Sequence, residues 1–252
     1  MNVLYGLKLW STNHNLFSEA AERHAQGQFD FIELYIVPGH VDLQALKPIL
    51  HIPITIHAPH ENHHFNVFTL DSASIEMFTK DVMSTADVVK AEKIVVHAGV
   101  GNSDEKFISN FSKINDPRIV IENMPKIALD GTDCYGYSLH QIEYILHSTK
   151  RSLCLDVGHA IKSAVSQGLE YKEFLGALFN SFHPSYFHIS DGILTHEQDE
   201  HVNVGSGNYD FAWIKENIRQ TPAEVVRLVF EVPKNGTDLS NDIQNISEYK
   251  KL

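Results

Sequence analysis

The sequence predicts a single (β/α)8 barrel that spans residues 1–252, a fold class in the α/β group. The chain length of 252 residues is that of a typical barrel of this kind. Eight short apolar runs, rich in Ile, Val, Leu, Phe and Tyr, alternate with eight segments of helical periodicity. No linker, low-complexity segment or shift in composition marks a boundary between them, so we expect one domain.

The eight apolar runs have the length and composition of buried parallel strands. They are Val3–Trp10, Phe31–Val37, Pro53–Ala58, Lys93–Gly99, Arg118–Met124, Ser152–Ala160, Ser185–Gly192 and Arg227–Pro233. Parallel strands need long crossover connections, which are usually helices. The runs are therefore expected to form one parallel sheet.

Between the runs, apolar residues recur at the spacing of amphipathic helices. These segments are Leu16–Gln26, Asp42–Leu50, Ser72–Ala91, Glu105–Ile114, Ser138–Ser148, Tyr171–Phe182, Asp210–Gln220 and Leu239–Lys251. Ser138 and Gln141 form a capping-box pattern just before Ile142, which supports a helix start there. Eight strand–helix units close a barrel, whereas a doubly wound open sheet is the alternative that the same alternation allows.

The chain is acidic, with 32 Asp and Glu against 20 Lys and Arg, and its formal net charge is −12. Negative charge repels phosphates and anionic lipids, which counts against nucleic acid and membrane surfaces as partners. No N-terminal segment resembles a signal peptide, and no apolar run approaches the roughly 20 residues that span a bilayer. We therefore expect a cytoplasmic protein.

Polar residues that can bind metal ions follow six consecutive predicted strands, always at the C-terminal end. In a barrel of this class the active site lies at that end. The candidates are His57, His97, Glu122, Asp156, His159, His188, Asp199, His201 and Glu231. One such residue alone would be read as a hydrogen-bonded structural residue, but recurrence on six strands predicts a functional cluster.

The types of these residues indicate divalent metal ions. Imidazoles and carboxylates without a nearby thiolate suit Zn²⁺, Mn²⁺ or Fe. A zinc ion usually takes four ligands, and a catalytic one keeps a position for water, so nine ligands exceed the needs of one ion. We therefore expect two or three ions, with Zn²⁺ as the first choice.

Two predicted loops at the same end are long enough to suggest a role in binding. They are Pro59–Asp71, after the third strand, and Ile193–Tyr209, after the seventh. Loops of this length inside a compact domain are often functional. Their histidines His60, His64 and His196 are candidates for contact with a substrate.

The segments that carry these residues resemble the xylose-isomerase-like barrel superfamily. The matching segments are Ile56–Pro59, Val96–His97, Ile121–Asn123, Leu155–His159, His188–Asp191, Asp199–Gly207 and Glu231–Pro233. Their ordered set is most similar to the endonuclease IV pattern. The pair Asp210-Phe211, after a Gly-x-Gly segment, also fits the sugar phosphate isomerase and epimerase relatives.

The resemblance to endonuclease IV implies three metal sites. The implied ligand groups are His57, His97 and Glu122; then Glu122, Asp156, His188 and Glu231; and finally His159, Asp199 and His201. Glu122 would bridge the first two groups. The isomerase relatives rely instead on the central group, with two carboxylates of the Glu122 and Glu231 kind.

These features predict a divalent-metal-dependent enzyme for a small sugar or sugar phosphate, with Glu122 and Glu231 as catalytic residues. Phosphoester hydrolysis and sugar isomerisation or epimerisation both stay open as its reaction. One alternative is a zinc-dependent abasic-site endonuclease, but His60 stands where endonuclease IV has an aromatic residue that inserts into DNA. Another is a barrel that binds metal or ligand without catalysis. The oligomeric state is not predicted.

Overall fold

The computed structural model describes residues 1–234 and 236–252 and contains a closed barrel of eight parallel strands. The strands pair in chain order, and the last pairs with the first. They are β1 (Asn2–Trp10), β2 (Phe31–Tyr35), β3 (Ile54–His57), β4 (Ile94–His97), β5 (Ile119–Glu122), β6 (Ser152–Asp156), β7 (Tyr186–Ile189) and β8 (Val225–Phe230). The predicted (β/α)8 class is confirmed, and an open sheet is excluded.

Helices cover the outside of the barrel. They are α1 (Phe17–Ala25), α2 (Ser72–Met77), α3 (Ser84–Val88), α4 (Asp104–Phe111), α5 (Leu139–Thr149), α6 (Val157–Ser166), α7 (Tyr171–Phe182), α8 (Phe211–Gln220) and α9 (Ser240–Lys251). A π-helical segment, Phe78–Met83, joins α2 to α3, so the two form one crossover. Most of the buried apolar side chains lie in one large cluster, in which strand residues pack with helix residues.

The helix predicted over Asp42–Leu50 is wrong. The crossover from β2 to β3 contains only a short 3-10 helix, Lys47–Ile49. Pro48 has no backbone N–H and therefore disfavours the interior of a longer helix. Apolar spacing was still informative, because Leu46 and Ile49 are fully buried.

The strand predicted over Ser152–Ala160 is also too long, since β6 ends at Asp156 and α6 begins at Val157. The Asp156 side chain caps α6 by accepting a hydrogen bond from the backbone N–H of His159, at 2.6 Å. An N-cap carboxylate satisfies a helix N–H that would otherwise lack a partner. His159 therefore extends from the first turn of a helix.

No helix within the described ranges is long and apolar enough to cross a membrane. Both cysteines, Cys134 and Cys154, are buried and free.

Candidate metal centre

The candidate ligands lie in a polar layer inside the barrel, next to an apolar one. Side chains alternate between the faces of a strand, so residues two positions apart point the same way. The apolar layer consists of Phe31, Val95, Val120, Cys154, Tyr186 and Val229. The polar layer, which takes one residue from or just after each strand, consists of Lys8, Glu33, His57, His97, Glu122, Asp156, His188 and Glu231.

His57 and His97 direct their Nε2 atoms at one oxygen of Glu122. Glu122 Oε2 lies 3.2 Å from His57 Nε2 and 3.3 Å from His97 Nε2. Burial lowers the pKa of His57, which favours a neutral ring. His57 Nδ1 lies 2.7 Å from the Ala58 carbonyl oxygen, which only accepts hydrogen bonds, so the proton belongs on Nδ1. The Nε2 lone pair then faces a carboxylate, an arrangement that a bound cation would stabilise.

His188 lies at the centre of the carboxylates. Its Nδ1 is 3.1 Å from Glu122 Oε1, 2.9 Å from Glu231 Oε1 and 3.9 Å from Asp156 Oδ2. Its Nε2 donates a hydrogen bond of 3.0 Å to Glu33. Burial would lower the pKa of His188, but the acidic groups around it raise that pKa well above its ordinary value. This part of the layer therefore attracts positive charge, from a proton or from a metal ion.

A third group of candidate ligands, the outer group, consists of His159, Asp199 and His201. It lies at the outer edge of the layer, where the loop after β7 approaches α6. His159 Nδ1 lies 3.0 Å from the Asn123 carbonyl oxygen, which leaves Nε2 as a lone pair 3.7 Å from Asp199 Oδ2. His201 Nε2 lies 2.6 Å from the same Asp199 oxygen. Ligand atoms of Asp156, His159 and His201 lie within 4.8 Å of one another. The side chain of His201 is 39% exposed, so the group opens to solvent.

Glu122 connects the three groups. While its Oε2 faces the first pair of imidazoles, its Oε1 lies 3.1 Å from His188 Nδ1 and 3.4 Å from His159 Nδ1. Glu122 Oε1, Asp156 Oδ2 and Asp199 Oδ1 are buried atoms without a hydrogen bond to the part of the chain that the structure describes. Leaving such atoms unpaired is costly. The donor set therefore fits divalent cations, and these residues are the ones that could hold them.

Two charged residues that were not predicted, Lys8 and Glu33, complete the layer. Glu33 is fully buried and accepts hydrogen bonds from Tyr186 Oη, at 2.7 Å, and from His188. Burial would raise the pKa of Glu33, but the charges of His188 and Lys8 lower it to about 2. Lys8 contacts Glu231 and lies 3.3 Å from Glu33 Oε1. The alternation of side chains along a strand could have identified Lys8 and Glu33, because each lies two positions after a residue that points into the barrel.

A cavity of about 450 Å³ opens above the centre. Its polar lining residues include Lys8, His57, His97, His159, Asp199, His201 and Glu231. Its apolar and aromatic lining residues include Trp10, Tyr35, Met124, Pro125, Ile127 and Leu129. A concave site with apolar walls and a few converging polar groups is typical of small-molecule binding.

The three histidines predicted to contact substrate differ in their placement. His60 lines the cavity and stacks on His97, with ring centroids 4.8 Å apart and planes 6° from parallel. His64 is exposed, ends a 3-10 helix and does not line the cavity. His196 is 57% exposed and pairs with Glu200 outside the cavity.

Solved structures with the same fold include both nucleases and sugar enzymes. Endonuclease IV from Thermus thermophilus is 17% identical, with a TM-score of 0.72, and 98% of each chain is covered. The 3-keto-D-glucoside 4-epimerase from E. coli is 12% identical, with a TM-score of 0.67 and full coverage of both chains. The IolI protein, solved with a zinc atom, is 15% identical, with a TM-score of 0.65 and coverage of 97% of this chain and 96% of that one. At these identities the likeness shows the fold alone.

A search of curated proteins gives no significant match. The model of one protein family, described as the xylose isomerase-like TIM barrel, matches residues 24–249. That match covers most of the barrel, including every candidate ligand. The chain therefore belongs to the xylose isomerase-like TIM barrel family.

Proposed function

We propose that this protein is a divalent-metal-dependent enzyme that acts on a small sugar phosphate by phosphoester hydrolysis, with isomerisation or epimerisation of a small sugar or sugar phosphate as the second candidate. One observation carries the proposal: the lone pairs of several imidazoles face carboxylate oxygens around Glu122. His57 and His159 each have a ring nitrogen next to a backbone carbonyl, and His188 has one next to Glu33. Hydrogen bonds of this kind orient histidines that bind metal ions.

Divalent cations bound here would lower the pKa of water and stabilise charge on a phosphoryl group. The chain contributes the geometry. Glu122 Oε2 faces the His57–His97 pair and its Oε1 lies 3.4 Å from His159 of the outer group, so this one carboxylate would help to hold cations in both groups. His201, which is more exposed than the inner ligands, would face the phosphate from the cavity side.

The cavity supports a small substrate. Its volume of about 450 Å³ lies within the range of about 300–1,000 Å³ found for small-ligand sites. One wall is the segment Met124–Cys134, whose tip is held by a hydrogen bond of 3.3 Å from Gln198 Nε2 to the Leu129 carbonyl oxygen. A polar floor beneath such walls would suit a sugar phosphate.

Sugar isomerisation or epimerisation is the second candidate function. It is favoured by the placement of Glu122 and Glu231, whose carboxylates both lie about 3 Å from His188 Nδ1, at 3.1 and 2.9 Å. Two carboxylates beside one substrate carbon could remove and return its proton. In that reaction the outer group would not be essential.

The two reactions give different products. Protein loaded with Zn²⁺, Mn²⁺ or Fe²⁺ would be incubated in D₂O with a panel of sugars and sugar phosphates. Hydrolysis releases inorganic phosphate, whereas proton exchange on carbon introduces deuterium into the sugar. We expect phosphate release, and we expect the Glu122→Gln variant to abolish it. Metal-loaded protein that catalyses neither reaction on the panel would contradict the proposed substrate class.

A further inference from the structure

Lys8 lies in the same layer as the candidate ligands. The register between β1 and β2 places it beside Glu33, and the register between β1 and β8 pairs its neighbour Leu7 with Phe230. Glu231 is the next residue after Phe230, so Lys8 lies between two carboxylates from its two neighbouring strands. Lys8 itself is only 8% exposed.

The Lys8 ammonium contacts both of these carboxylates. It donates a hydrogen bond to Glu231 Oε1 and lies 3.3 Å from Glu33 Oε1. Ligand atoms of Glu33, His57, His188 and Glu231 lie within 4.8 Å of one another, close enough to hold a metal ion. The ammonium therefore supplies positive charge at a position that could otherwise take a divalent cation.

The charge balance of the layer also favours two divalent cations over three. The mostly buried carboxylates are Glu33, Glu122, Asp156 and Glu231 in the layer and Asp199 at its edge. Glu61, 3.9 Å from His97 Nδ1, is left out of this balance because its side chain is 25% exposed and solvent screens its charge. The five mostly buried carboxylates and the ammonium of Lys8 together carry four negative charges, which two divalent cations would offset. A third would leave two excess positive charges among groups that are mostly buried. Uncompensated charge in a buried site is costly.

We propose that Lys8 takes the place of one metal ion, so that the chain holds two divalent ions where the endonuclease IV-like arrangement would hold three. The inference rests on the proposed metal dependence. The two ions would take the group of His57, His97 and Glu122 and the outer group around Asp199. Lys8, which lines the cavity, would present a fixed positive charge to a substrate.

The number of bound ions tests this inference directly. Full-length protein and three variants would be loaded with Zn²⁺, freed of excess metal and analysed for zinc per chain. We expect two equivalents for the native protein and for Lys8→Arg, which keeps the charge, and three for Lys8→Met. Lys234→Met is the matched control, because Lys234 lines the same cavity but pairs with Asp242, and it should keep two.

Co²⁺ loading gives a second readout, since the visible spectrum of Co²⁺ reports its coordination. Lys8→Met should add a third set of bands to the two of the native protein, and Lys8→Gln repeats the test if Lys8→Met does not fold. Three equivalents in the native protein, or two in folded Lys8→Met, would overturn the inference and leave the proposed metal dependence intact. A native protein that takes up no metal would overturn both.

Discussion

At the scale of single residues, the centre depends on which nitrogen of each histidine carries the proton. His188 shows this most clearly, because its Nε2 faces the buried Glu33 and its Nδ1 faces Glu122 and Glu231. A carboxylate that accepts a hydrogen bond from one ring nitrogen fixes the tautomer and makes the other nitrogen more basic. Glu33 thus orients His188 towards Glu122, the carboxylate that the proposed metal ions would share.

The substitution Glu33→Gln tests that role. We expect it to weaken metal affinity by about 10-fold, the lower end of the usual effect of disturbing the residues that orient metal ligands, because His188 then no longer positions Glu122. Chelator competition would measure the affinity, with Glu143→Gln on the outside of α5 as the control. Equal affinity in native protein and Glu33→Gln would show that Glu33 does not orient His188.

Substitutions of the outer and central ligands separate the two candidate reactions. If hydrolysis uses the outer group, His159→Ala and His201→Ala should each lower turnover about 100-fold, the scale of losing a key electrostatic contact in the transition state. If only the central group matters, Glu231→Gln should abolish activity while His201→Ala retains much of it. Steady-state kinetics on the best substrate decide between these outcomes. Full activity in all three variants would place the active site elsewhere.

At the scale of structural elements, α6 holds the loop that carries the outer ligands. The fully buried Lys162 ammonium donates hydrogen bonds to the carbonyl oxygens of Ile193, at 2.8 Å, and His196, at 3.1 Å. It also contacts Glu200 Oε2 at 2.9 Å. Glu200 lies between Asp199 and His201, so this one side chain connects the helix to the candidate centre.

Lys162→Met should therefore disturb both stability and the outer group. The Glu200 side chain is 24% exposed, so the change acts mainly through the lost hydrogen bonds of the buried ammonium, and we expect the free energy of unfolding to fall by about 2 kcal/mol and the metal content to drop. Lys172→Met is the control, because Lys172 pairs with Asp210 on the surface, and it should change little. Urea denaturation and zinc analysis measure the two effects. A stable Lys162→Met protein with full metal content would rule out this role.

At the scale of the whole molecule, protons and metal ions compete for one centre. Burial raises the pKa of Asp156 to about 6, against the opposing charge of His159. Burial would lower the pKa of His201, but Asp199 raises it to about 9. A group whose pKa rises on folding stabilises the protein at low pH, and this stability is lost as the pH rises through the folded-state pKa.

Metal-free protein should therefore lose stability as the pH rises through about 6 and again towards 9. Metal ions need deprotonated ligands, so their stabilising effect should grow over the same range. We expect the difference in Tm between Zn²⁺-loaded and metal-free protein to increase from pH 5.5 to pH 8. Calorimetry at matched ionic strength measures it. A difference that is constant or shrinks with pH would contradict this linkage.

The fold also bears on whether duplex DNA is a substrate. His60, for which the sequence resemblance implies the position of an inserting aromatic residue in endonuclease IV, stacks on His97 with its side chain only 24% exposed. The chain carries a formal charge of −12, and phosphate contacts usually come from Lys and Arg. We expect metal-loaded protein to incise a duplex with one abasic site poorly. Rapid incision by native protein, lost in Glu122→Gln, would refute this expectation.

Much of the fold and of the candidate centre could be predicted from local patterns. Apolar runs and helical spacing identify strands and helices, because each depends on neighbours along the chain. The predictions near Pro48 and Asp156 were wrong, since a proline and a helix cap override apolar periodicity there. The positions of nine candidate ligands followed from one rule, that the C-terminal ends of barrel strands meet.

The sequence by itself determined the barrel class and the strand ends that carry these ligands. Only the tertiary structure decided that Lys8 and Glu33 belong to the same layer. Each is a single charged residue in an apolar run, and its partners are far away along the chain. Lys8 meets Glu231, 223 residues later, only because β8 closes onto β1. Which residues meet across that seam depends on the register of the closed sheet, and no local pattern contains this register.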